Sequence, residues 1–425
     1  MKRYKFLILL FVLLTMFGNK AYAYAYDFAM DNADGITIYY NYYNGGTELQ
    51  VARSGYSGNV VIPETVTYMN RTRSVTSIDE RAFYGCSSLT SITIPSCMTN
   101  IGNNAFGGCS GLTKVIVPDI AAWCGLNFLC DDSNPLYYAH HLYSDENTEI
   151  TSLIIPEGVT SIGWGTFIGC SELTSITIPS SVTSIGMLAF LYCTGLTKVI
   201  VPDIAAWCGI DFYDNPLGKA RHLYSNENTE ITSLTIPSSV TSISSVAFRS
   251  CSGLTSVTIP SSVTSIGSSA FSYCTGLTSV TISEGVTSIG NSAFRDCTGL
   301  TSITIPSTVT SIGDYAFNSS TILSVVSMIN NPNRIYADTF DKNTFMNASL
   351  YVPAGTKEIY KVRDGWKKFV FIEEIDPSSL DINPIHGDVA ESSRYTLNGL
   401  RITSPPKGIN IIRYSDGTTK KVIVK

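Results

Sequence analysis

The side chains equipped for chemistry are few. The chain has four histidines, His140, His141, His222 and His386, and eleven cysteines. Cys124 with His141, and Cys208 with His222, have the residue types of a thiolate nucleophile and its base, and the two pairs keep roughly equal spacing. Catalysis needs one oriented nucleophile and a third group that holds the base, whereas a pair that recurs in both halves of a duplication marks packing. His140, His141 and Asp132 together have the types of a metal site. The second copy has Arg221 where the first has His140, and a structural metal requires the same ligands in both copies. No glycine-rich phosphate loop, His-Glu-x-x-His motif or paired acids in a cleft are visible. The reading is a chain without catalytic residues, metal ligands or cofactor, and not an enzyme.

What remains is surface. Ser256 and Thr258, Ser279 and Thr281, and Ser302 and Thr304 alternate with apolar residues, as do Ser91 and Thr93, Ser175 and Thr177, and Ser233 and Thr235. In strands this alternation sends every Ser and Thr to one face, with Lys114 and Lys198 breaking the row. From 231 to 320 the charged residues are Arg249, Glu284, Arg295, Asp296 and Asp314, so attraction to a partner across this face is not mainly electrostatic. The second candidate surface is aromatic: Tyr137 and Tyr138, where the other copy of the same insertion has Gly218 and Lys219. Loops on a rigid scaffold often carry recognition, and replacing both tyrosines by Gly and Lys is expected to weaken binding without lowering the melting temperature.

These residues sit in a 23-residue unit. LTSVTIPSSVTSIGSSAFSYCTG begins at Leu254 and returns at Leu277 and Leu300. Leu254, Val257, Ile259, Val263, Ile266, Ala270, Phe271 and Cys274 are its apolar positions. A single unit cannot enclose them. Stacked copies can, with the segment from Val257 to Ile259 laid beside Val280 to Ile282 and Ile303 to Ile305 as parallel rungs about 4.8 Å apart. The fold class expected is a β-dominated α/β solenoid with short helical turns.

Strand prolines track the period: Pro95 to Pro118, Pro156 to Pro179, Pro179 to Pro202 and Pro237 to Pro260 are each 23 residues apart. The steps from Pro118 to Pro156 and from Pro202 to Pro237 are 38 and 35. They hold related insertions, 119–149 and 203–230, whose Trp123 and Trp207 are 84 residues apart. In both copies an Asp, Asp119 or Asp203, suits the N-cap of a short helical turn. Asn-Pro at 134 and 215 marks a turn, and His-Leu-Tyr at 141 and 222 a short strand. The shared Ala-Ala-Trp-Cys frame puts the Trp rings inside.

The ends differ in composition. Residues 1–25 have Lys2, Arg3 and Lys5, an apolar run from Phe6 to Leu14 and small residues at Ala21, Ala23 and Ala25, the pattern of a secretory signal peptide. The first cysteine is Cys86, so none near the cleavage site takes a lipid, and no later stretch makes a transmembrane anchor. Residues 26–68 read as an N-terminal β cap with a hairpin at Asn44-Gly45-Gly46, and 69–320 as the solenoid. Residues 321–375 read as a C-terminal cap, with Leu350 to Pro353 the last strand and a helix that Thr356 caps and Gly365 ends. Residues 376–393 are a linker, and 394–425 a small β segment with a turn at Asp416-Gly417. A net charge of −6 and a pI near 5.3 give no basic footprint for nucleic acid. Seven cysteines, from Cys86 to Cys297, hold one repeat position three residues after Phe. They read as buried small hydrophobes, mostly unbonded, and Ser320 replaces the last of them.

The spacing L-x-x-V/I-x-I resembles the strand signature of leucine-rich repeats, and the remainder, IPSSVTSIGxxAFxxCxG, resembles the bacterial BspA-like subclass over roughly 55 to 320. That resemblance implies an exported, monomeric binding protein at the outer cell surface or secreted, an adhesin whose partners are host proteins or other cells. The alternative is a secreted or envelope protein that binds glycans, with the aromatic insertions as the platform. The segment Tyr395 to Ile402, then Pro406-Lys407-Gly408, then Lys420 to Lys425 resembles the end of a type IX secretion sorting domain. Gly399-Leu400-Arg401 departs from that pattern's Gly-Arg.

Overall fold

The computed structural model describes residues 25–319 and 321–375, and beyond them the backbone of the strands Leu380–Asp381, Glu391–Thr396, Arg401–Ile402, Gly408–Tyr414 and Thr419–Val424. Nearly all of the expected signal peptide, Ser320, most of the expected linker and the Asp416-Gly417 turn lie outside the described residues.

Each repeat makes one three-sided coil. The first side is the Ser-x-Thr strand: Ser256–Ile259 pairs in parallel with Ser279–Ile282, Val257 opposite Val280 and Ile259 opposite Ile282. All four of these apolar side chains are buried. The second side is a shorter parallel ladder in which Ser265, Ser288 and Ser311 stand in line. The third is a ladder of turns: Phe248, Phe271 and Phe294 each donate their N–H to the carbonyl of the Ala in the next coil, at 2.8 Å. Their rings stack at 5.1, 5.3 and 5.5 Å down to Phe317, within 7° of parallel. At the corners, Thr255, Thr264 and Thr287 send their hydroxyls to the carbonyl of the Thr one coil back. Gly290 is fixed by this stacking, because a Cβ there would meet the backbone of Gly267 and Ser268 at 2.7 Å.

Cysteines close the turn ladder. The thiols of Cys109, Cys193, Cys274 and Cys297 each donate to the carbonyl of Phe83, Phe167, Phe248 and Phe271 at 3.1 Å. All eleven are free, and the seven at the repeat position are buried. Burial pushes the thiols of Cys193, Cys251 and Cys297 up to about 12.

The stack differs from the expected one at four places. Ser279–Ile282 ends one sheet and Ser302–Ile305 begins the next, so the hydrogen-bonded pairing is interrupted there although the two strands still stack side by side. Beside that step the Thr301 hydroxyl is buried with no partner, unlike its equivalents. Each insertion supplies a rung of its own, Leu142–Tyr143 on Lys114–Ile116 and Leu223–Asn226 on Lys198–Ile200. They are remodelled coils, and the main ladder is interrupted after each. Ser349–Pro353 is not the last rung, because Phe371–Ile375 pairs with it in parallel. The helix before it is Lys357–Val362, and the Thr356 hydroxyl turns back to the Pro353 carbonyl instead of capping it.

At the N-terminus an antiparallel meander of Phe28–Asp31, Thr37–Tyr43 and Glu48–Val51 joins the solenoid through parallel pairing of its last strand with Arg71–Ile78. The C-terminal strands form a separate five-stranded sheet. Its Glu391–Thr396 begins ahead of the boundary expected at Arg394, because Glu391 and Ser393 already pair with Tyr414 and Arg413.

Candidate binding surfaces

The Ser-Thr row is one continuous face over three rungs, with Ser233, Ser256 and Ser279 in line and Thr235, Thr258 and Thr281 in line. Ser302 and Thr304 continue it in the next sheet, opposite Ser324 and Val326. Thr258 is exposed, and Ser256, Ser279, Thr281, Ser302 and Thr304 are half-buried. Ser256 spends its hydroxyl proton on Ser233, at 2.7 Å.

One end of each earlier stretch of this face is covered, the end next to the insertion. Ile116 and Ile200 point outward from the sheet yet are buried. Lys114 and Lys198 explain it: their ammonium groups donate to the carbonyls of Glu146 and Glu227 at 2.8 and 2.6 Å. Their charges lie 4.5 and 4.6 Å from the rings of Tyr143 and Tyr224. The lysines that break the Ser row thus tie down the insertion's hairpin. In each hairpin a histidine meets a glutamate, His141 with Glu149 at 2.6 Å and His222 with Glu230 at 2.7 Å.

The imidazoles are therefore paired with carboxylates and not with the cysteines. Cys124 and Cys208 are buried under the helices Ile120–Cys124 and Ile204–Cys208, and burial pushes their thiols up to about 12. His140 turns to the Gly169 carbonyl. Among the described residues no group of three His, Cys, Asp or Glu side chains is arranged to hold a metal.

The helices are capped as expected, by Asp119 on the Ala122 N–H and by Asp203 on those of Ala205 and Ala206. Asn-Pro at 134 and 215 does more than turn the chain. It opens the helices Leu136–Ala139 and Leu217–Ala220, whose first N–H the Asn side chain accepts. Trp123 and Trp207 are each 1% exposed, so neither ring is a sugar platform.

Tyr137 and Tyr138 lie on the first of these short helices, half-buried, with their rings edge to face at 5.3 Å. The Tyr138 hydroxyl donates to Asp132 at 2.7 Å and accepts from the Gly108 N–H at 3.0 Å. Burial and that carboxylate push its phenol up to about 12. Tyr138 is thus tied into the scaffold by both bonds, so a Tyr138→Lys change is expected to lower the melting temperature.

The turn ladder carries a row that the sequence reading missed. Tyr84, Tyr192, Tyr273 and Tyr315 are exposed along it. Arg53 and Arg81 lie over Tyr84 at 5.6 and 5.9 Å, Arg249 over Tyr273 at 5.7 Å and Arg295 over Tyr315 at 5.3 Å. Coil-to-coil bonds hold them in register, such as Tyr273 N–H to the Arg295 carbonyl at 2.8 Å. Gly108, which donates its N–H to the Tyr138 hydroxyl, and Gly169, whose carbonyl meets the His140 ring, belong to the same row.

A family model described as the BspA type leucine rich repeat region matches in six copies over residues 62–131, 142–213 and 222–347, more than half of the chain. The chain belongs to this BspA-type leucine-rich-repeat family. The family match stops short of the C-terminal sheet. No curated protein matches the chain. Among solved structures, a leucine rich cell surface protein from Faecalibacterium prausnitzii is 22% identical, with 83% of this chain and 97% of that one covered and a TM-score of 0.38. A leucine-rich repeat protein from Bacteroides ovatus is 24% identical, with 84% and 92% covered and a TM-score of 0.44. The two gaps between the matched segments, 132–141 and 214–221, fall in the insertions and hold Asn134 and Asn215 with the short helices that they open. No helix among the described residues is long and apolar enough to cross a membrane.

Proposed function

We propose that this BspA-type protein is exported to the outer cell surface or the medium and is an adhesin, binding proteins of a host or of other cells through its turn face. The observation that carries the reading is the row of exposed tyrosines with arginines over their rings. Tyr and Arg are the side chains that dominate protein interfaces, while Ser and Thr are under-represented among the residues that hold them together. Rigid stacking repeats the row on several coils, so that weak contacts add. Residues 1–25 supply the export signal, and the C-terminal segment the sorting signal.

The test has two arms. The purified solenoid is applied to arrays of extracellular-matrix proteins and of glycans. It is compared with an Arg249→Ser, Tyr273→Ser variant on the turn face and a Thr258→Ala, Thr281→Ala variant on the sheet face. Binding to proteins that only the first variant loses supports the reading. Loss only in the second moves the site to the Ser-Thr face, and binding confined to glycans favours the glycan-binding alternative. For export, the N-terminus of the protein recovered from the producing cells should begin after Ala23 or Ala25, and retention of residues 1–25 in an intracellular product removes that half of the proposal.

A further inference from the structure

The C-terminal cap contains a cleft of about 620 Å³ lined by Asn333, Arg334, Val362, Arg363 and Asp364, within the size range of small-molecule sites. Its walls are fixed from behind. The Ile335 N–H donates to the Asp364 carbonyl at 3.1 Å, and the indole N–H of the buried Trp366 donates to the Asn333 carbonyl at 2.9 Å. One terminal nitrogen of Arg363 donates to the Asn331 side chain at 3.2 Å, which orients the guanidinium.

The charges do not balance inside the cleft. Two guanidiniums face a single carboxylate, and that carboxylate, Asp364, already accepts from Lys367 at 2.7 Å. The Nε of Arg363 is buried with no acceptor. That Nε is shut off from solvent, so what Arg363 presents to the cleft is its terminal nitrogens, one of them already bound to Asn331. A planar oxyanion suits two guanidiniums, which offer forked N–H pairs. Val362, 74% exposed, adds an apolar wall beside them, which a bare inorganic anion would leave unused.

We propose that this cleft binds a small organic carboxylate, its oxygens held by Arg334 and Arg363 and its carbon skeleton laid against Val362. The site lies on the C-terminal cap, shares no residue with the tyrosine and arginine row, and does not depend on the adhesin reading. The carboxylate belongs to a sugar acid or to an amino-acid derivative.

The full chain is titrated with D-glucuronate and with N-acetyl-L-leucine. D-glucose, N-acetyl-L-leucinamide and inorganic phosphate serve as comparisons, with ligand-observed NMR and tryptophan fluorescence as readouts. Saturable binding of one or both carboxylates, with none of the neutral analogues and weaker binding of phosphate, is expected. Whichever carboxylate binds identifies the source. Arg334 is exposed, so Arg334→Gln should keep the melting temperature and weaken binding about tenfold or more. Arg334→Lys, which keeps the charge and loses the fork, should fall between. Equal binding by the neutral analogues, tighter binding of phosphate, no saturation by any probe, or an unchanged affinity in Arg334→Gln each overturns the proposal.

Discussion

Trp207 donates its indole N–H to the carbonyl of Ala247 at 2.9 Å, and Trp123 donates in the same way to Thr166 at 2.9 Å. In a regular coil that carbonyl accepts the Phe N–H of the coil before it, as Ala270 does from Phe248. The inserted coils have Leu136 and Leu217 there, with their N–H groups turned to Asn134 and Asn215. The indole and the Asn amide, at 2.9 Å from the Ala247 oxygen in the second copy, take over the vacant role. Trp207→Phe keeps most of the ring and removes the donor. Denaturant unfolding should show a loss of about 1 to 2 kcal/mol, and a change near zero would mean that Asn215 alone satisfies the carbonyl.

Asymmetry between visible and hidden features follows from what repeats. The period of 23 exposes every position with the same residue in each coil, which is why the strand, the Phe stack and the cysteine position were legible. The turn row was not, because Tyr273, Arg295 and Tyr315 occupy different repeat positions and meet only through the stacking of successive coils. The rung Phe371–Ile375 carries Glu373 and Glu374 where the consensus has Thr and Ile, so its pattern does not announce it. The pairing of Tyr143 with Lys114 needs the hairpin's geometry, and a lysine in a Ser row reads only as an exception until that hairpin is in view.

Val246 adopts φ 57°, a conformation that costs a side chain with a Cβ about 1 to 2 kcal/mol and is an outlier for a β-branched residue. It is held there because its N–H donates to Ser268 at 2.9 Å and its carbonyl accepts from Asn215 at 2.6 Å. Asn tolerates this region. Val246→Asn should stabilise the protein by about 1 kcal/mol, read as a higher denaturation midpoint, and a lower one would show that packing of the Val methyls outweighs the backbone.

The buried thiols make stability depend on alkaline pH. In the unfolded chain a cysteine ionises near its ordinary value, whereas burial holds Cys297 at about 12. Between pH 9 and 12 the unfolded state therefore sheds protons that the native state keeps, and stability falls as pH rises. Below pH 9 this contribution is constant. Each such thiol adds a slope approaching 1.4 kcal/mol per pH unit, an order-of-magnitude figure. Cys297→Ala should flatten the curve of unfolding free energy between pH 9 and 10.5, whatever it does to stability at pH 7; an unchanged slope would show that the thiol titrates normally in the fold.

Lys198 holds its hairpin by one hydrogen bond to the Glu227 carbonyl and by its charge over Tyr224. Lys198→Ser installs the residue that regular rungs carry. Hydrogen exchange of amides 225 to 230 should quicken several-fold while the Phe248 to Phe317 stack keeps its protection. Global stability should change by less than about 1 kcal/mol. Exchange that stays at the original rate would mean that the His222–Glu230 pair is enough to fix the hairpin.

Tyr137 and Tyr138 separate scaffold from surface within two adjacent residues. Tyr138 joins two coils, since its hydroxyl is bound on one side by the Gly108 N–H and on the other by Asp132. Tyr138→Phe removes both bonds, leaves the N–H of an exposed glycine to water, and should lower stability by about 1 kcal/mol. Tyr137 has its ring against Tyr138 and no hydrogen bond through its hydroxyl among the described residues, so Tyr137→Ser should move the melting temperature little. If the turn row is the contact surface, binding to a protein found on the array falls in Tyr137→Ser at unchanged stability, because Tyr137 stands on the row that Tyr84 and Tyr192 continue on either side. Were Tyr138→Phe to weaken binding while Tyr137→Ser did not, the loss would reflect a displaced helix and not a lost contact, and the first copy of the insertion would drop out of the interface.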